Sequence, residues 1–227
     1  MTEIIQFVPR AECDAKENIQ GFVDLCRNRL TVFGKDLDWD SSVWDVTRFT
    51  PRTGVGNRLI FSFANHDSAG LRSRATLMAQ PFLDFARAYM RYCFGLNTRE
   101  NHSQKMAAVR ALEKALTEHS VDGVPRIEKI DAHSFNRAAQ LLREKNPGSA
   151  YQSGNHLQKI ATFLAENRMT AVPLAWQSPI KRKHDPNIRV GSQADERRRA
   201  KLPTAAALEA LPQAFFAARE PVDVVTT

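Results

Sequence analysis

Four apolar stripes at helical spacing, each closed by a stop signal, fill residues 79–170 and leave few folds open to this chain. Pro81–Phe94 is aromatic-rich and ends at Gly95. Asn101–His119 carries Met106, Val109, Leu112 and Leu116 on one face, the periodicity of a helix that buries one side. Asp131 is placed to cap a third helix that turns Phe135, Ala138, Leu141 and Leu142 inward. Asn146-Pro147-Gly148 stops that helix, because proline cannot continue the hydrogen-bond ladder and glycine frees the turn. Ser149 is expected to cap the fourth helix, whose inner stripe is Leu157, Ile160, Ala161 and Leu164. Four such helices with three short connections predict one compact bundle.

The flanking regions read differently. Residues 10–33 predict an amphipathic helix burying Ile19, Phe22, Val23, Cys26 and Leu30, with Gly34 in the position of a C-terminal glycine. Val43–Phe49 and Arg58–Ala64 are rich in aromatic and β-branched residues, and the turn-forming stretch between them suggests a hairpin. Ser68–Thr76 looks like a linker. After residue 170, Val172-Pro173-Leu174-Ala175-Trp176 and Ser178-Pro179 favour extended chain. Trp176 is expected to fold back onto the bundle, and Trp39 and Trp44, in acidic company, to serve the N-terminal core or a protein contact. Thr204 should cap a short helix from Ala205 that Pro212 breaks or kinks. The fold class expected is therefore mainly α: an N-terminal α+β unit over 1–78, a helical domain over 79–170, a basic linker over 171–201, and a final segment over 202–227.

Charge sharpens this division. Residues 1–79 hold ten basic and ten acidic side chains, residues 80–180 thirteen and nine, and residues 181–201 eight and three. Positive charge concentrates in one segment, as in a strap for phosphates. No stretch approaches the roughly 18 apolar residues that a membrane span needs. The N-terminal residues lack the basic and long apolar runs of a secretory signal, so a cytoplasmic location is expected. Cys13, Cys26 and Cys93 form no CxxC pair and read as structural thiols. The six histidines show no zinc spacing, and no motif calls for a cofactor or a small-molecule substrate.

The order FLDFARAYMRYCFG, MAAVRALEKAL, AYQSGNHLQKIATFLAEN, WQSPIKRK and LPTAAALEAL, over residues 80–211, resembles the core-binding domain and interdomain linker of tyrosine recombinases, the phage-type integrases. The resemblance implies a SAM-like four-helix bundle that grips double-stranded DNA in a bacterial cell, with self-assembly on the DNA possible. The N-terminal α+β unit is similar to extra domains that some larger integrases place before that bundle. The family cleaves DNA with a tyrosine near its C-terminus, whereas the tyrosines here are Tyr89, Tyr92 and Tyr151, all in the helical region, and no histidine begins an HxxR. The expectation is a DNA-binding portion without strand-cleaving activity, lacking the catalytic domain, of which residues 202–227 would be only the truncated start. The alternative is a protein-interaction module of an integrase assembly with incidental DNA contact.

In that family the second and fourth helices face the duplex. Turning their apolar stripes inward leaves Ser103, Gln104, Arg110 and Lys114 outward on the second, with Lys105 at the boundary. On the fourth it leaves Tyr151, Gln152, Asn155 and Lys159 outward, with His156 at the edge. These are cations, hydroxyls and amides suited to phosphates and base edges. The linker adds Lys181, Arg182, Lys183 and Arg189, then Arg197, Arg198, Arg199 and Lys201. Six to eight neutralised phosphates would give a log–log salt slope of roughly −5 to −7.

Overall fold

The computed structural model describes residues 5–50, 58–69, 75–98, 100–182, 199–200 and 202–217. The chain is mainly helical with one small antiparallel sheet. It divides into a first unit, residues 1–185, and a second, residues 186–227. In the first, α1 (Ala15–Asn28), β1 (Val43–Asp45) and β2 (Ile60–Ser62) precede the helices α2 (Phe82–Leu96), α3 (His102–His119), α4 (Ala132–Lys145) and α5 (Ala150–Glu166). The second contains α6 (Ala205–Ala217). Among the described residues no helix is long and apolar enough to cross a membrane.

Local chemistry sets most boundaries. The Asn101 carboxamide accepts from the Gln104 N–H at 3.2 Å and opens α3. The Asp131 carboxylate accepts from the Ser134 N–H at 2.8 Å and opens α4. Ser149 stands at the start of α5 as expected, but its hydroxyl makes no capping bond. Helix α1 begins five residues later than its amphipathic pattern suggests. There Asp14 and Glu17 form a reciprocal capping box, Glu17 N–H to Asp14 at 2.8 Å and Asp14 N–H to Glu17 at 2.9 Å. It ends at Asn28, so Gly34 is not its cap. With φ near +89°, Gly34 instead closes a separate turn from Thr31. The two strands are shorter than expected, pairing Val43 with Ser62, Trp44 with Phe61 and Asp45 with Ile60. Thr47–Phe49 forms a 3-10 turn instead. Most of the segment read as a linker lies outside the described residues; just beyond it Leu77 bridges Ala64.

In the second unit, α6 opens as expected, with Thr204 Oγ1 accepting from the Ala207 N–H at 3.2 Å. It runs through Pro212 rather than breaking there. Proline removes one donor, while the alanine-rich residues around it favour helix strongly enough to carry the turn across.

The expected boundary at residue 78 does not separate two cores. Phe22 of α1 packs against Phe85 and Tyr92 of α2 and Phe163 of α5, at ring-centroid distances of 6.1, 5.4 and 5.1 Å. Trp39 and Trp44 are buried in the same continuous cluster. Two buried arginines of α2 tie the N-terminal loops down. Arg91, 3% exposed, donates to the carbonyls of Val32, Cys26, Arg27 and Gly34 at 2.8–3.3 Å. Arg87 donates to the Asp40 and Ser41 carbonyls at 2.8 and 3.3 Å and lies 3.4 Å from the Asp40 and Asp84 carboxylates. Replacing Arg91 by leucine strips four carbonyls of their donor. Unsatisfied buried polar groups cost about 1–3 kcal/mol each, so urea unfolding should show a loss of at least about 3 kcal/mol. A loss below about 1 kcal/mol would show that the loops do not depend on this side chain.

Candidate nucleic-acid interface

The N-terminal halves of α3 and α5, with the α4–α5 turn between them, enclose a groove. Two adjoining hollows share Ala107, Asn146 and Ser149. The outer one, about 600 Å³, is walled by Asn101, Ser103 and Gln104. The inner one, about 250 Å³, is walled by His66, Arg110, Lys145 and Ser153. A third hollow of about 400 Å³ lies along the outer face of α5 beside Asn155, Gln158 and Lys159.

The chain after α5 runs back along this helix. Trp176 does fold onto the bundle: its ring stacks on Phe135 at 5.0 Å and its N–H donates to Asn136 at 2.9 Å. The Ser178 N–H then donates to Gln158 at 3.2 Å, and Arg143 donates to the Pro179 carbonyl at 3.1 Å. Ile180 is buried over Gly154, where a Cβ would come within 2.8 Å of Ser178 Oγ and 3.1 Å of Ile180 Cδ1. Glycine in mid-helix costs about 1 kcal/mol against alanine, and here it admits the close approach. From Gln158 to Gly154 the strap travels antiparallel to α5. Lys181 and Arg182, both exposed, follow directly.

The expected DNA-facing residues fall into three groups. Ser103, Asn155, Lys159, Lys181, Arg182 and Arg199 are exposed, and Gln104, Tyr151 and Gln152 are partly so. Lys183, Arg189, Arg197, Arg198 and Lys201 lie outside the described residues. The remaining four are engaged inside the fold. Arg110 donates to the carbonyls of Ser62 at 2.6 Å and Ala64 at 3.1 Å, because β2 covers the face of α3 that looked free. Lys114 pairs with Asp67 at 2.5 Å and lies 4.0 Å from Glu118. Lys105 is buried against Glu100, and His156 is buried with Nδ1 3.8 Å from the same carboxylate.

Glu100, just ahead of α3, organises that cluster and was not singled out by sequence reasoning. It accepts from both Lys105 and Lys159, although Lys159 keeps 61% of its side chain exposed. Burial alone would raise the Glu100 carboxyl, but the two lysines outweigh it and hold the group at about 2. Burial, with Lys105 nearby, pushes the two histidines the other way, and His102 and His156 both fall to about 4. Arg87, Arg91 and Lys145 were also passed over; arginines four residues apart inside an apolar helix were the available signal for the first two.

Comparison with protein-family models, with curated proteins and with solved structures finds no match for this chain.

The depressed histidines make a pH prediction. Unfolded histidine binds its proton near 6.5, and His102 and His156 in the fold only near 4. Their contribution is fully present above about pH 6.5 and is lost as pH falls from there toward 4. Urea midpoints should therefore drop between pH 7 and pH 5, and drop less in His102→Asn/His156→Gln. Equal drops in the two proteins would contradict the assignment.

Proposed function

We propose that this chain binds duplex DNA through the face formed by α3, α5 and the strap, as the non-catalytic N-terminal part of a site-specific tyrosine recombinase. On this reading α2–α5 are the SAM-like core-binding bundle, and the N-terminal α+β region buttresses it. The observation that carries the proposal is the seating of Ser178 and Ile180 on Gly154. It holds the start of the basic strip, Lys181 and Arg182, beside the helix whose exposed side chains include Asn155 and Lys159. Ser103 and Gln104 of α3 add uncharged hydrogen-bonding groups across the groove. Such a mixture suits a surface where cations position the backbone and amides meet base edges. Strand cleavage is no part of the proposal: Tyr89 and Tyr92 are buried, and the Tyr92 hydroxyl accepts from the Phe7 N–H at 3.2 Å.

A second reading, a protein-interaction module, draws on α6, which exposes Leu208, Leu211, Phe215 and Phe216. Aromatic side chains in the open are more typical of a protein contact than of a phosphate contact.

Fluorescence anisotropy with a labelled duplex of about 30 base pairs across a salt series separates the two. DNA binding predicts affinity falling steeply with salt. Lys181→Ala/Arg182→Ala should flatten the log–log slope by about two. No binding at low salt would overturn this reading and favour the protein-contact one.

A further inference from the structure

The inner hollow of the groove brings together two cations, a buried hydroxyl and a helix start. Arg110 and Lys145 both line it, and among the described residues neither has a carboxylate within ion-pair distance. Arg110 uses its N–H groups on the Ser62 and Ala64 carbonyls, and Lys145 donates to the His66 carbonyl. The nearest carboxylate, Asp67, is taken by Lys114 and His66. Glu113, one turn further along α3, is occupied by the Ala79 N–H, and burial raises its carboxyl. Positive charge is thus crowded, and the carboxylate that acts on Lys145, Asp67, is shared with Lys114 and His66. Burial pushes Arg110 down to about 10, and burial together with Arg110 lowers Lys145 in spite of Asp67.

One polar atom points to what is missing. Ser153, 1% exposed, lines the hollow, and its hydroxyl has no hydrogen-bond partner. His66 lines it too, but its Nδ1 donates to Asp67 and burial favours the neutral ring, so its unpartnered Nε2 is an acceptor and offers nothing to an anion. Buried polar groups are nearly always paired, so the orphaned Ser153 hydroxyl beside two cations calls for an acceptor. The wall also includes Ser149, whose hydroxyl does not cap α5, at the helix end that favours negative charge. The volume of about 250 Å³ is more than a bare oxyanion fills and leaves room for an attached sugar.

We propose that this hollow is a seat for one phosphate group of a phosphate ester, held by Arg110, Lys145 and the Ser153 hydroxyl at the start of α5. The same chemistry is offered by a DNA backbone and by a free phosphorylated small molecule. The seat stands on its own geometry, independently of the DNA reading.

Inorganic phosphate is the probe, titrated against the full chain at ionic strength matched with chloride and followed through the amide resonances of residues 149–153. Saturable shifts are expected in the wild type. Lys145→Met and Ser153→Ala, checked for folding by thermal unfolding, should each weaken binding, the lysine variant by at least about tenfold. No saturable shift in the wild type, or wild-type affinity in both folded variants, would overturn the seat. A duplex arm identifies the source. Displacement of phosphate by duplex assigns the seat to the DNA backbone; saturable phosphate binding that duplex leaves untouched assigns it to a free phosphate ester, and the seat stands.

Discussion

The rest of the structure depends on the two arginines that α2 buries. A guanidinium in an apolar helix is costly unless each N–H finds an acceptor, and Arg91 finds four carbonyls, two in the last turn of α1 and two on the loop that follows it. Arg87 donates through Nη2 to the Asp40 and Ser41 carbonyls before β1, while its Nε–H finds no acceptor. With those loops fixed, Phe22 reaches α2 and α5, and α1, Trp39, Trp44 and Phe61 join the helical core rather than standing beside it. The order then propagates. The sheet presents the Ser62 and Ala64 carbonyls to Arg110, which draws the 64–69 turn against α3 and walls the inner hollow.

A second constraint is where the positive charge resides. The chain carries a net charge of +7, yet much of the basic complement of α3 is turned to internal use. Glu100 gathers Lys105, Lys159 and His156, and Asp67 takes Lys114. Of the expected DNA-facing residues that are described, Lys181, Arg182, Arg199 and in part Lys159 remain at the surface, with the uncharged Ser103 and Asn155. On the proposed reading, the seating of the strap on Gly154 matters because it sets where Lys181 and Arg182 begin.

How far the sequence could be read follows from how local each signal is. The bundle helices were legible because their stops and caps lie within a few residues of their ends: Asn101, Asp131 and Pro147-Gly148. Gly95 is not such a stop, since α2 continues through it to Leu96 and ends at Asn97. The inner stripes, from Met106 to Leu164, are buried as their spacing requires. The start of α1 went astray because amphipathicity continues past a helix end, whereas the Asp14–Glu17 box decides it. At the site the difficulty is different. A helical wheel shows which face is apolar, but not whether its polar face meets water or another part of the chain. Arg110 lies on such a face, and β2, over forty residues away in sequence, covers it. The Glu100 cluster and the Lys145–Ser153 hollow likewise join residues from separate elements, so neither leaves a spacing to find.

Hydrogen–deuterium exchange of the full chain, with and without a 30-base-pair duplex at low salt, tests the central claim most directly. The account predicts slowed exchange in three segments only: the first turns of α3, residues 146–159, and the strap through Arg182. Slowing confined to α6 or to the N-terminal sheet, with the α3–α5 face unchanged, would contradict it.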